Sequence, residues 1–184
     1  LPSAPELAEG LLRNFLAIQS PDGFIDWKPG LSGQRSRVSA TPILASLAWR
    51  IYEANENLEF LKEVYYPLVK FLLSWLTPQH DRDGDGIPEW DNVLQSGFED
   101  HPIYSHWHDW SLGLEISTAE SPALCALLYR ECQTLLNIAR LLSQDEHIST
   151  LTFLSMRLKV TADAAWDRKE YAYLHWDRDT HISA

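Results

Sequence analysis

An all-α fold is what this sequence predicts, and three observations carry the prediction. Apolar residues recur at i, i+3, i+4 and i+7 spacing in five separate stretches. Clusters of Pro, Gly, Asp and Ser stand between those stretches, where they start and stop helices. Alternation of period two is confined to a few residues near the end.

The first helix follows Pro2 and Pro5, with Leu7, Leu11, Leu12, Phe15 and Ile18 as its stripe. It stops before the turn signal Ser20-Pro21-Asp22-Gly23, and residues 19–33 form a Gly- and Pro-rich loop anchored by Phe24, Ile25 and Trp27. The second starts near Thr41-Pro42, where Thr suits the cap and Pro the first helical position, and presents Ile43, Leu44, Leu47, Ala48 and Ile51. The third, over 57–76, is strongly apolar; Pro67 inside it is expected to kink or split it, since proline removes a backbone donor and crowds the preceding turn. Ser121-Pro122 opens a fourth, carrying Leu124, Leu127, Leu128, Leu135, Ile138, Leu141 and Leu142. Asp145 caps a fifth, with Ile148, Leu151, Leu154, Leu158 and Trp166 on its buried side. Residues 171–177 alternate and read as a short strand or extended edge.

With 184 residues, 45% hydrophobic and 22% charged, the chain has the make-up of a single globular domain over 1–184. Its net charge of −11 argues against nucleic acid and anionic membranes as partners, which need a basic surface, and leaves a neutral sugar open. No apolar run approaches the roughly 18 residues of a membrane span. Cys125 and Cys132, seven residues apart on one helix, place their α-carbons about 10 Å apart, too far for a disulfide, and read as buried thiols. The N-terminal residues lack the basic start and apolar core of a signal peptide, which favours a cytoplasmic location, although a longer precursor could carry one. The closing Thr180-His181-Ile182-Ser183-Ala184 supplies no capping element, so a piece of something longer is expected.

Between the third and fourth helices lies a connection over 77–117, longer than compact domains keep without a function. Its stretch over 81–102, DRDGDGIPEWDNVLQSGFEDHP, gathers seven acidic residues among glycines and aromatics. Asp81, Asp83 and Asp85 before Gly86 match the first half of a calcium loop, because carboxylates at alternate positions of a tight turn converge. Glu89 would be a further ligand, but Asn92 stands where a bidentate Glu is needed, and an acidic turn without metal is the alternative. No other cofactor is required. In the second half, Glu99 and Asp100 follow Phe98; glycosidic cleavage needs one carboxylic acid to protonate the leaving oxygen and another carboxylate to activate water or attack the sugar. Apolar surroundings would raise such an acid's pKa. Adjacent residues do not flank one substrate, so one of the two would be the acid and the other bind a hydroxyl or orient the loop. Trp90, Phe98, Trp107 and Trp110 are candidate sugar platforms, with core packing as the alternative for each. The H-x-H of His106-Trp107-His108 lacks a third ligand, and Glu120 either favours the dipole of the fourth helix or points into a site.

Ser96-Gly97-Phe98-Glu99-Asp100-His101-Pro102 resembles the S-G-L-D-D-Y-P segment of glycoside hydrolase family 63, the processing α-glucosidase I group, and the S-G-W-D segment of the related trehalases. The resemblance is concentrated in the loop; the flanking helices match in rhythm, including Tyr66-Pro67-Leu68 and Trp75. It implies an (α/α)6 toroid, of which this chain supplies about half, with the active site at one end lined by long inter-helix loops. Glu99 falls on the family's general-acid Asp and Asp100 on the second Asp; Glu for Asp adds a methylene, so Asp100 is the alternative acid. The family's general base, a Glu, lies later in the barrel than this chain reaches. The implied function is an inverting α-glycosidase acting on an oligosaccharide, inactive without the remainder of the barrel as its partner. The alternatives are a non-catalytic helical sugar-binding or calcium-stabilised scaffold domain, and a helical repeat binding protein partners.

Overall fold

A computed structural model describes residues 3–30, 33, 34, 36–97, 116, 118–179 and 183. The described residues hold five α-helices: α1 (Pro5–Ala17), α2 (Leu44–Asn55), α3 (Leu58–Ser74), α4 (Pro122–Leu142) and α5 (Ile148–Ala164). Proline sits in the first turn of α1 and of α4, where its missing N–H would be unpaired in any case. Asn57 caps α3 by accepting from the Phe60 N–H at 3.2 Å.

Helix α3 is the centre of the core, burying Phe60, Leu61, Val64, Tyr65, Leu68, Val69, Phe71 and Leu72. Each such side chain removed from water stabilises the fold by roughly 1.5–3 kcal/mol. Helices α2, α3 and α4 all contact one another; α1 packs on α2 and α3, and α5 packs on α4. From α4, Leu124, Leu128, Leu135, Ile138 and the unpaired thiols Cys125 and Cys132 complete the core.

Several expectations are corrected. Pro67 neither splits nor ends α3, which runs unbroken through it; the Pro67 carbonyl is held by the Gln19 side-chain amide at 2.9 Å. Helix α2 starts at Leu44, beyond Thr41-Pro42, and no side chain of its own caps it. The cap comes from α4: the buried Glu131 carboxylate accepts from the backbone N–H groups of Ala45 (2.7 Å) and Ser46 (3.0 Å) and from the Ser46 hydroxyl. Asp145 does not cap α5 with its side chain; its carbonyl accepts from Ile148 N–H at 3.2 Å. Leu7 and Leu11 of α1 are exposed, as is Trp166, which lies beyond α5 in a strand.

Among the described residues, four two-residue strands tie the connections together. β1 (Ala119–Glu120) pairs antiparallel with β4 (Trp176–Asp177), and β2 (Trp166–Asp167) with β3 (Ala172–Tyr173). The expected extended tail is thus two strands, β3 and β4, that pair with different partners.

Candidate active site

The turns from α2 to α3 and from α4 to α5 are short, whereas residues 18–43, 75–121 and 165–179 connect or follow helices over much longer spans. The middle one of these three segments meets each of the other two. Trp75 donates its indole N–H to the Ala40 carbonyl at 3.2 Å. Thr41 donates its hydroxyl to the Gln95 carbonyl at 2.7 Å. Backbone bridges close the first two segments on themselves, Asp26 to Ser39 and Glu89 to Glu120, and β1 with β4 brings in the third.

Gln95 is the hub. It ends the 3-10 turn Val93–Gln95 and is fully buried. Its side-chain oxygen accepts from the N–H groups of Asp91 (2.7 Å) and Asn92 (2.9 Å), while its amide nitrogen donates to the Ser39 carbonyl (3.0 Å) and an Asp91 carboxylate oxygen (3.1 Å). One amide therefore satisfies four polar groups and fixes the chain just before Ser96-Gly97. Asp91 is also 3.2 Å from His80 Nδ1, and the His80 ring stacks on Trp75 at 4.5 Å.

The acidic turn has the predicted convergence. Asp81, Asp83 and Asp85 each bring a carboxylate oxygen within 4.8 Å of the others. Local bonds shape it: Gly86 N–H to Asp81 at 3.1 Å, Asp85 N–H to Asp83 at 3.2 Å, Ile87 N–H to Asp85 at 2.7 Å. Gly86 has φ 91°, and a Cβ there would lie 1.2 Å from an Arg157 guanidinium nitrogen of α5. Arg157 approaches Asp81 only to 4.0 Å.

Behind the turn lies a second set of carboxylates. Glu89 and Glu120 are buried and, with Asp83, bring carboxylate oxygens within 4.8 Å of one another. Glu89 is bound by Arg178 (3.2 and 3.3 Å) and Arg82 (3.2 Å). Burial pushes its pKa up, and the two guanidinium groups oppose that. Glu120 is 1% exposed, and its Oε1 has no hydrogen-bond partner among the described residues. Burial, then the charges of Asp85, Asp83 and Glu89, push its pKa up to about 8. A buried carboxylate facing other carboxylates either holds a proton or takes a hard cation; oxygen donors of this kind suit calcium.

The predicted ligands are thus divided. Asp81, Asp83 and Asp85 form one group, whereas Glu89 meets only Asp83 of them, alongside Glu120. Trp90, expected as a sugar platform, is 1% exposed and packs edge-on against Trp75 at 5.7 Å, so its ring is part of the core. Phe98, Glu99, Asp100, Trp107 and Trp110, and with them His106 and His108, lie outside the described residues. Sequence reasoning missed Gln95, Arg82 and Arg178. The Ser39 partner of Gln95 and the Glu89 partner of Arg178 lie 56 and 89 residues away, and no local pattern encodes such pairs; the local half of the Gln95 hub, its capping box with Asn92, was the signal in the sequence. Glu120 carried one signal, its place just before a helix start.

The family model of the mannosylglycerate hydrolase MGH1-like glycoside hydrolase domain matches residues 4–184. No curated protein matches the chain. The GH63 mannosylglycerate hydrolase from Thermus thermophilus, in complex with Tris, superposes with a TM-score of 0.80 at 17% identity, over 99% of this chain and 59% of that one. Its glucose complex gives 0.74 at 20% identity, over 94% and 55%. An uncharacterized conserved protein from the same organism gives 0.78 at 18% identity, over 94% and 54%. The helical arrangement is therefore about half of a GH63 (α/α)6 barrel, and the chain spans little more than half the length of the solved chains it matches.

Proposed function

Because the chain belongs to the mannosylglycerate hydrolase MGH1-like family of glycoside hydrolase domains, we propose that it supplies one wall of the active site of an inverting α-glycosidase. The observation that carries this reading is the family match over 4–184. It includes the Ser96–Pro102 motif, which follows directly on the buried hub Gln95. In this reading Glu99, or Asp100 beside it, gives its carboxylic proton to the glycosidic oxygen as the bond from that oxygen to the anomeric carbon breaks. Water attacks the anomeric carbon from the opposite face and loses its proton to a carboxylate supplied by the rest of the barrel, which leaves an inverted sugar. Gln95 holds the chain that leads into the acid. Phe98, Trp107 and Trp110 offer rings to the sugar.

The test uses the full polypeptide that carries these residues, with mannosylglycerate and α-glucobioses as substrates and the first-formed anomer read by NMR. Glu99→Gln is expected to lower kcat by about 100-fold or more, the scale of general-acid catalysis. If Asp100→Asn does so while Glu99→Gln does not, the roles are exchanged. Retained activity in both variants, or net retention of configuration, would sink the reading. The 184-residue chain alone is expected to turn over neither substrate.

A calcium site at the Asp81-Asp83-Asp85 turn is the second part of the proposal, supported by the convergence of three carboxylates and by the unpartnered oxygen of buried Glu120. Bound calcium would lock the turn to the start of α4 and so steady the acid-bearing connection. At a concentration 100-fold above its Kd, calcium would stabilise the fold by about 2.7 kcal/mol. Calorimetry is expected to give binding that Asp83→Asn abolishes, since Asp83 is common to both carboxylate groups. An unchanged Tm on adding calcium or EDTA would rule it out.

A further inference from the structure

The connection that carries the acid motif is tied at its base by one residue from the third long segment. Between Glu89 and Thr118 the chain runs through the hub Gln95 and the whole Ser96–Pro102 motif. Glu89 stands on the entering limb of this span, Thr118 and β1 on the leaving limb, and a backbone bridge from Glu89 to Glu120 brings the limbs together. Arg178, the residue after β4, holds both. Its backbone N–H donates to the Thr118 carbonyl at 2.8 Å. One nitrogen of its guanidinium donates to both carboxylate oxygens of Glu89, at 3.2 and 3.3 Å. Asp179 accepts from its Nε at 2.9 Å and so helps to fix the plane of the guanidinium. Glu89 is itself secured by its N–H, which donates to the His80 carbonyl at 2.7 Å.

The Arg178 side chain is 15% exposed and the Glu89 side chain fully buried. A buried pair of this kind adds little net stability, because desolvation offsets its attraction. What it supplies is geometry: Gln95 secures the entering limb, and Arg178 joins that limb to the leaving one. We propose that Arg178 is a positioning residue for the proton transfer to the glycosidic oxygen. By holding Glu89 and Thr118 at once, it sets where the chain enters and leaves the span that bears the acid. It acts through those two residues and gives up no proton itself. The proposal rests on the reading of Glu99 or Asp100 as the general acid. A shift of about 1 Å at reacting groups costs about 100-fold in rate, so a loosened base is felt in the chemical step.

The test compares two leaving groups in the full polypeptide, at one fixed calcium concentration. The glycoside that the enzyme hydrolyses, mannosylglycerate or an α-glucobiose, needs a proton on its leaving oxygen. The α-glycosyl fluoride of the same sugar does not: fluoride departs with the bonding electron pair, while water attacks and gives its proton to the base. Misplacing the acid slows the glycoside selectively, whereas a loss of folded protein slows both alike. Arg178→Ala is expected to lower kcat on the glycoside by about 10- to 100-fold with KM changed less than about threefold, and to raise the fluoride-to-glycoside rate ratio at least about tenfold. Arg178→Lys keeps the charge without the planar fork and is expected to fall between; it gives the same ratio if the alanine variant does not fold. Glu99→Gln and Asp100→Asn supply the acid's own signature. If one of them raises the ratio and neither Arg178 variant does, the positioning role is overturned. If neither carboxylate variant raises it, the general-acid reading fails, and Arg178 keeps its role only if its variants raise the ratio on their own.

Discussion

Glu131 fills a role that no neighbour in sequence could fill. Helix α2 begins without a capping side chain of its own, and its first free N–H groups meet a carboxylate on α4, 85 residues away. Removing that carboxylate leaves buried donors unsatisfied, at roughly 1–3 kcal/mol for each group. Glu131→Ala is therefore expected to destabilise by about 3 kcal/mol in urea unfolding, and Glu131→Gln, which keeps one acceptor oxygen, by less. A loss under about 0.5 kcal/mol for the alanine would mean the α2 start is satisfied in another way. Residues of this kind are invisible to local reading. Thr41 and Pro42 offered a better cap in sequence, yet Thr41 turns its hydroxyl to the Gln95 carbonyl instead. Trp90 was ambiguous for the same reason: its residue type suits both a core and a sugar platform, and its packing against Trp75 is decided by tertiary contacts.

The helices were the legible elements. Their stripes repeat every three to four residues, and burial of one face favours that pattern wherever the helix packs. The starts of α3 at Asn57 and of α4 at Ser121-Pro122 were readable because caps and first-turn prolines act within one turn. The connections were not readable, because their form depends on β1 finding β4 and on Gln95 finding Ser39. The helix ends offer a prediction at this scale. Both short turns begin with a left-handed residue that is not glycine: Glu56 at φ 54° after α2, and Ser143 at φ 55° after α4. That conformation costs an L-residue roughly 1–2 kcal/mol, which glycine avoids while giving back part in unfolded-chain entropy. Glu56→Gly and Ser143→Gly are each expected to raise stability by about 0.5 kcal/mol, readable as a rise in Tm. A fall for both would show that the side chains, not the backbone, govern these turns.

At the scale of the whole molecule, buried carboxylates pull stability in opposite directions as pH changes. Burial pushes Asp26 up, but hydrogen bonds from Lys28 N–H, the Ser36 hydroxyl and N–H, and Arg37 N–H outweigh it and hold its pKa below the free value of 3.8. Glu9 is likewise held below 4.5, with burial outweighed by the Asn55, Asn57 and Arg13 side chains. For both, the unfolded chain takes up protons first as pH falls. Their contribution is present above about pH 4.5 and lost as pH drops through the folded values. Glu131 runs the other way: burial outweighs the bonds from Ser46 and Ala45 and raises its pKa above 4.5. The folded state then keeps a proton that the unfolded chain has released, so stability declines as pH rises above about 4.5 until the folded group ionises. Urea midpoints across about pH 3–8, measured without divalent cations, are expected to rise steeply from the acid side, peak above the carboxylate range, and decline towards neutrality. Asp26→Asn should lessen the acid limb, which Glu9 shares, and Glu131→Gln the neutral limb, which Glu120 with its pKa pushed up to about 8 shares, each leaving the other limb in place. Loss of both limbs in either variant would mean that the two carboxylates titrate as one unit. The separation of α1's loop from the α2–α4 packing would then have no energetic meaning.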